Sequence, residues 1–147
     1  MGKYGNCDYK ELVELKNKIE KLGDKKAKFM ESCAKELAAR LLASASKNTP
    51  TGIYPSGSGK VGGTLKRGWT IGEIQNVGDM YKIEITNPVD YASYVEYGHR
   101  TRNHKEWIEG KFMMTIAEQE IKSATPRLLE NKLKKLLGEC LKWQIKY

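Results

Sequence analysis

At 147 residues the chain is long enough for one domain with a real hydrophobic core, so neither a disulfide framework nor a metal is needed to hold it. Hydrophobic residues make up 39% and mean hydropathy is −0.62, and no apolar run approaches the ~18 residues of a spanning helix, which excludes an integral membrane protein. Regular apolar periodicity at both ends excludes wholesale disorder, and the polar stretch from Met1 to Lys10 is not followed by the apolar segment of a secretory signal.

The net charge of +8 is uneven. Residues 1–48 carry +4, residues 49–98 carry −1, residues 99–110 carry +1 and residues 111–147 carry +4. Basic helical ends fit either a nucleic-acid contact or Lys-rich solvated faces. The second is preferred, because the cations are mostly Lys and are spread round the helices rather than striped. Cys7, Cys33 and Cys140 are odd in number, far apart and lack a CxxC, so a reducing, cytoplasmic site of synthesis is expected.

In chain order, Leu12, Leu15, Ile19 and Leu22 recur at spacings of three and four and predict a helix over 8–22. Gly23 is expected to stop it and Asp24 to cap the next. Met30, Cys33, Ala34, Leu37, Leu41 and Ala45 then predict a longer helix over 25–47. Pro50, Pro55 and the glycines at 52, 57, 59, 62 and 63 mark a long flexible loop over 49–63. Leu65, Trp69 and Ile71 predict a strand over 64–74. Gln75 to Asp79 reads as a turn. Tyr81, Ile83 and Ile85 alternate with Lys82, Glu84 and Thr86, the cleanest strand pattern in the chain, and the two strands form a hairpin.

Tyr91, Tyr94 and Val95 predict a short helix over 90–98, capped by Asp90 and ended by Gly98. Residues 99–110 read as a polar loop. Met113, Ile116, Ala117, Ile121 and Ala124 begin a helix, which Thr125-Pro126 either kinks or restarts, and a Lys-rich helix continues over 127–146. The expected fold is α+β: long N-terminal and C-terminal helices packed on a small antiparallel hairpin, over 1–147 as one domain. A two-stranded hairpin alone is marginal. A third strand near 49–56, or a neighbouring subunit, would complete the sheet.

Chemistry-bearing motifs are weak. Gly57 to Gly62 matches GxGxxG but lacks the preceding strand and following helix of a dinucleotide site. A phosphate loop around Gly59-Lys60 fails at Tyr54 and Val61. His99 and His104 lack the i, i+4 spacing of a metal-binding helix face, and no nucleophilic triad stands out. Glu106 and Glu109 sit in a basic loop, where ion pairing is the simpler reading. Neither catalysis nor a cofactor nor a metal is expected. Tyr91, Tyr94, Tyr97 and Trp107 do stand out, followed or flanked by Arg100 and Arg102, because aromatics and Arg are the anchors of protein interfaces. Packing of the tyrosines on the hairpin is the competing reading.

Four segments in order carry a resemblance: Thr49-Pro50 with Thr51-Gly52; Thr64 to Arg67 with Trp69; YVEYG at 94–98; and Trp107 to Met113. Over about residues 12–125 the chain resembles the tailed-phage minor tail-component family of head–tail joining and tail-completion proteins. The resemblance implies a structural virion protein, made in the host cytoplasm, that forms a homo-oligomeric ring, a hexamer, at the neck or head-proximal tail end. Its partners would be itself, the tail-tube or terminator protein and the connector, with non-specific DNA contact in the lumen and no membrane. The candidate interface residues are Tyr94, Glu96, Tyr97, Gly98, His99, Arg100, Arg102, Trp107, Thr51, Gly52 and Lys60. Within this set Glu96 is expected to hydrogen-bond the turn and Gly98 to adopt a left-handed cap. The insertion IYPSGSGKVG at 53–62 departs from the family's short link, and the tail after Pro126 lies outside the shared pattern. A basic DNA-binding module is the alternative.

Overall fold

The computed structural model describes residues 10–78 and 80–141. It is α+β, with two long helices and three two-stranded antiparallel sheets. The first helix, α1, runs unbroken over Lys10–Asn48. The expected stop at Gly23 does not occur. A glycine inside a helix costs only about 1 kcal/mol, and nothing within 4 Å of a Cβ there would dictate another path. Cys7 and residues 8–9 lie outside the described residues.

The last helix, α4 (Met113–Leu141), lies antiparallel to α1. Two contacts set the register. Ser44 donates to Glu120, and twelve residues back along α1 the Lys132 ammonium meets the Ser32 hydroxyl (2.7 Å), the Ser32 carbonyl (3.0 Å) and the Glu36 carboxylate (2.8 Å). Pro126 neither ends the helix nor begins a new one. It removes one backbone donor, and beside it the Thr125 hydroxyl bonds the Ile121 carbonyl at 2.7 Å. Residues 142–147 lie outside the described residues.

Residues 49–63 contain no strand, so the third strand expected near 49–56 is absent there. Thr49 closes α1: its hydroxyl donates to the Ala45 carbonyl (2.6 Å) and accepts from the Trp69 indole N–H (2.7 Å). The segment expected to begin a strand at 64 instead makes one helical turn, α2 (Thr64–Arg67), which buries Leu65.

The expected hairpin follows, in two pieces. β1 (Thr70–Ile71) pairs with β4 (Ile85–Thr86), and β2 (Gln75–Val77) pairs with β3 (Met80–Lys82). Residues 75–77, expected as turn, are therefore strand. Between the pieces, residues 72–74 face only 83–84. The extra residue is a bulge-like offset that shifts the register by one. The alternation on the return strand holds: Tyr81, Ile83 and Ile85 are half-buried, and Lys82, Glu84 and Thr86 are exposed.

The short helix α3 spans Ala92–Tyr97, with Tyr91 rather than Asp90 at its N-cap. Residues 99–110, expected as a loop, form a second hairpin of β5 (Gly98–Arg100) and β6 (Trp107–Glu109). Its turn is built from side chains. The Thr101 hydroxyl and the Asn103 side chain accept from the backbone N–H groups of Glu106 and Lys105, each at 3.2 Å, and His104 takes φ 56°. The buried apolar side chains are Cys33, Ala38, Ala45, Leu65, Met113 and Ala117, which places the core along the α1–α4 seam and under α2. Burial raises the Cys33 thiol pKa above its ordinary value.

Candidate functional site

The site begins with a carboxylate. Glu96 sits in α3, yet it is only 7% exposed, and its side chain caps a different helix. One carboxylate oxygen accepts from the Met114 N–H (2.9 Å). The other accepts from the Thr115 N–H (3.0 Å) and the Thr115 hydroxyl (2.7 Å). The first N–H groups of α4 have no partner inside the helix, and the positive end of the helix dipole favours an anion there. Backbone bonds from Lys111 N–H to the Val95 carbonyl (2.7 Å) and from Phe112 N–H to the Glu96 carbonyl (3.0 Å) complete the join. The expected partner of Glu96 was the turn after α3. The observed partner is the start of α4, 18 residues away in sequence.

Two glycines let the chain cross at this point. Gly98 has φ 87° and ψ 172°, a region that only glycine enters readily. The positive φ agrees with the expectation, whereas the ψ is extended rather than left-handed helical. A Cβ there would lie 2.5 Å from the Ile108 carbonyl oxygen. A Cβ on Gly110 would run into the Glu96 carbonyl oxygen and lie 2.7 Å from the Tyr97 carbonyl carbon. α3, the second hairpin and α4 are thus clamped by one carboxylate and two glycines.

The clamp presents aromatic side chains to solvent. Tyr94, Tyr97 and Trp107 are 58%, 65% and 59% exposed, so the tyrosines do not pack on the first hairpin. Ile108 and Phe112, which periodicity did not single out, are exposed too. His99 stands edge-on to Tyr94, with ring centroids 5.8 Å apart, and Arg100 pairs in register with Trp107. Arg100 and Arg102 are exposed. An aromatic and cationic apron on a rigid base is the composition of an interface anchor.

Thr51, Gly52 and Lys60 belong to the loop rather than to the apron. Thr51 and Gly52 line a small pocket with Tyr91 and Val95, so the base of the loop lies against α3. Lys60 stands 5.8 Å from the centre of the Tyr54 ring. Further along the α1–α4 seam, α1, the first hairpin and α4 enclose an open apolar cleft of about 660 Å³, with Cys33, Leu37, Ile83 and Leu129 among its walls. Sequence periodicity places Cys33, Leu37 and Ile83 on apolar faces and cannot show that the faces stop short of meeting.

Among the described residues no group of His, Cys, Asp and Glu side chains is arranged to hold a metal, and no helix is long and apolar enough to cross a membrane. Residues 13–98 match the family profile of HK97-gp10-like proteins, described as "Bacteriophage HK97-gp10, putative tail-component". The match covers more than half of the chain, and the protein belongs to this family of phage tail components. No curated protein and no solved structure is similar enough to match.

Proposed function

We propose that this protein is a non-enzymatic structural component of the virion that assembles as a ring, six-fold like the tail, at the neck or head-proximal tail end. There it completes the tail and joins it to the head. The observation that carries this reading is the apron. Three aromatic side chains more than half exposed, with Arg100 opposite Trp107 in the second hairpin, stand on a base that Glu96 ties to α4. An isolated chain gains nothing from that arrangement, whereas a partner covering it would bury large rigid rings at little entropic cost. Family membership supports a place in the tail.

The partners in this reading are further copies of the chain, the tail tube or its terminator, and the connector. Arg100 and Arg102 meet acidic groups on them, and lysines facing the lumen meet DNA without sequence preference. Assembly takes place in the host cytoplasm. Electron microscopy of a lysate from a phage lacking the gene tests the proposal. Filled heads beside detached tails, or tails of uncontrolled length, are expected. Joined, infectious particles overturn it.

A further inference from the structure

The loop that leaves α1 has a closed neck and an untied body. Gly52 and Gly62 approach so closely that a Cβ on Gly62 would strike the Gly52 carbonyl oxygen, and Arg67 donates to the Gly62 carbonyl at 3.1 Å. Beyond that neck, residues 53–61 bond among themselves. The Ser58 N–H donates to the Pro55 carbonyl and the Lys60 N–H to the Ser58 hydroxyl. Among the described residues no hydrogen bond or ion pair ties 53–61 to the rest of the chain. A segment with so few ties is among the first to move. Yet its side chains are not those of a solvated loop: Ile53 is 96% exposed, Val61 76% and Tyr54 46%. A single exposed apolar residue needs no explanation, but a cluster of them on one projection marks a contact.

The counterpart lies on the same chain. Tyr54 and Val61 line a gap of about 250 Å³ whose other walls include Tyr91 and Val95 of the α3 segment and Leu65 of α2. Tyr91 is exposed as well, at 46%. Val95 is held in place, because its carbonyl accepts from the Lys111 N–H at 2.7 Å, next to the Glu96 clamp. One wall of the gap is thus fixed and the other is untied, and both are apolar. We infer that residues 53–61 are a strap that closes onto Tyr91 and Val95, burying Tyr54 and Val61 in the gap they line, and that a partner covering the apron closes it.

Two arguments select the loop itself as what fills the gap. It already supplies part of the lining, so closure needs only a small movement about the neck and no foreign side chain. It is also tethered at both ends, which keeps its local concentration high at no cost in association entropy. The link to the apron is α3. Tyr94 and Tyr97 follow Tyr91 by three and six residues, so the apron and the strap's seat lie within two turns of one helix, about 5.4 Å each. A partner resting on the apron shields the rim of the gap from water. Burial of the strap's apolar side chains then outweighs the entropy lost in ordering it, whereas in the free chain the open form prevails. The inference rests on the preceding section's reading that a partner covers the apron, and it holds whichever virion protein that partner is.

The test traps the closed strap. Val61→Cys and Tyr91→Cys are placed in a chain whose own cysteines are replaced (Cys7→Ser, Cys33→Ala, Cys140→Ser). Oxidant is added to the dilute chain and, separately, to purified particles. A disulfide forms only when the two Cα atoms come within about 7 Å. Both positions are exposed, so the reduced pair should melt as the cysteine-free chain does. A disulfide within one chain is expected, formed about tenfold or more faster in particles than in the dilute chain. Equal rates, no disulfide, or a disulfide between two chains overturn the inference. Alongside, Tyr54→Asp puts a charge where closure would bury it, and joined particles should fall by about tenfold or more, while Tyr54→Phe keeps the yield. Normal yield from Tyr54→Asp, with joining lost on deletion of the gene, overturns the strap and leaves the virion reading standing. Joined, infectious particles after deletion overturn both.

Discussion

The two sides of this molecule are built to opposite standards. Around Glu96 the carboxylate has three donors, two glycines permit a crossing no larger residue could make, and Met113 and Ala117 are fully buried beneath. Further along the seam, α1 and α4 share hydrogen bonds and the Lys132–Glu36 ion pair, yet with the first hairpin they leave an apolar cleft unfilled. Interiors are normally packed without gaps of that size. The contrast teaches that the clamp is packed tightly and that the cleft region leaves apolar surface open. Substitutions should therefore be costly on the first side and tolerated on the second.

The sharpest way to break the comparison is Gly110→Val. The added atoms meet backbone at Glu96 and Tyr97, which cannot swing aside as a side chain would. A loss of at least ~4 kcal/mol, or no soluble folded protein, is expected by thermal melting. Met113→Ala comes next. Met113 is 0% exposed, so truncation leaves a cavity, and a loss of about 2–5 kcal/mol is expected in denaturant titration. A cost under about 1 kcal/mol would show that the clamp is as loosely packed as the cleft.

Glu96→Ala ranks third. It strips the cap from α4 and leaves two backbone N–H groups and the Thr115 hydroxyl without their acceptor, for about 2–3 kcal/mol. Glu96→Gln keeps one acceptor oxygen and loses the charge, so its cost should fall between zero and that of Ala. Equal melting of both variants and the parent would remove the capping role.

These positions also show which features the sequence discloses. Long amphipathic helices and the alternation over 80–86 were legible, because a 3.6 or 2 residue period over several turns overwhelms local noise. The unbroken α1 was not, since a glycine only raises the cost of a helix and neighbouring packing decides. The turn at 64–67 was misread because Leu65 and Trp69 fit either period over so short a span. The second hairpin has three-residue strands without apolar alternation, and the side-chain bonds of Thr101 and Asn103 that shape its turn leave no periodic pattern. At the site, the aromatics and arginines were visible by type. Glu96 was visible as a notable residue, but its partner was not, because a cap supplied from 18 residues away leaves no local pattern. The cleft is an absence of packing and has no sequence signal at all.

A smaller effect probes the seam between the two sides. Hydrogen bonds from Lys132 first, and from Arg40 second, hold the Glu36 carboxyl below its usual pKa. A depressed folded pKa contributes stability that is present above the unfolded value, near ~4.3, and lost as pH falls through the folded one. Melting curves of the parent and of Glu36→Gln should therefore differ at pH 7 and converge as pH falls through the depressed folded value. Added salt should shrink the difference at pH 7, since the pair is open to solvent. A difference that persists in acid would mean that Glu36 acts through packing rather than charge.

The smallest expected effect is the most informative about the cleft. Met80 lies at its edge and is 70% exposed, against 0% for Met113. The two residues are chemically identical, so they isolate the difference between the sides. Met80→Ser removes an apolar chain that the folded monomer leaves in water, and its stability should change by less than about 0.5 kcal/mol. If a partner covers the edge of the cleft in assembled particles, the same substitution should matter there. A variant as stable as the parent in isolation but poorer in joined particles would separate the energy that folds the chain from the energy that assembles it. A variant that destabilises the free protein as Met113→Ala does would show the cleft closed in solution, and the contrast between the two sides would collapse.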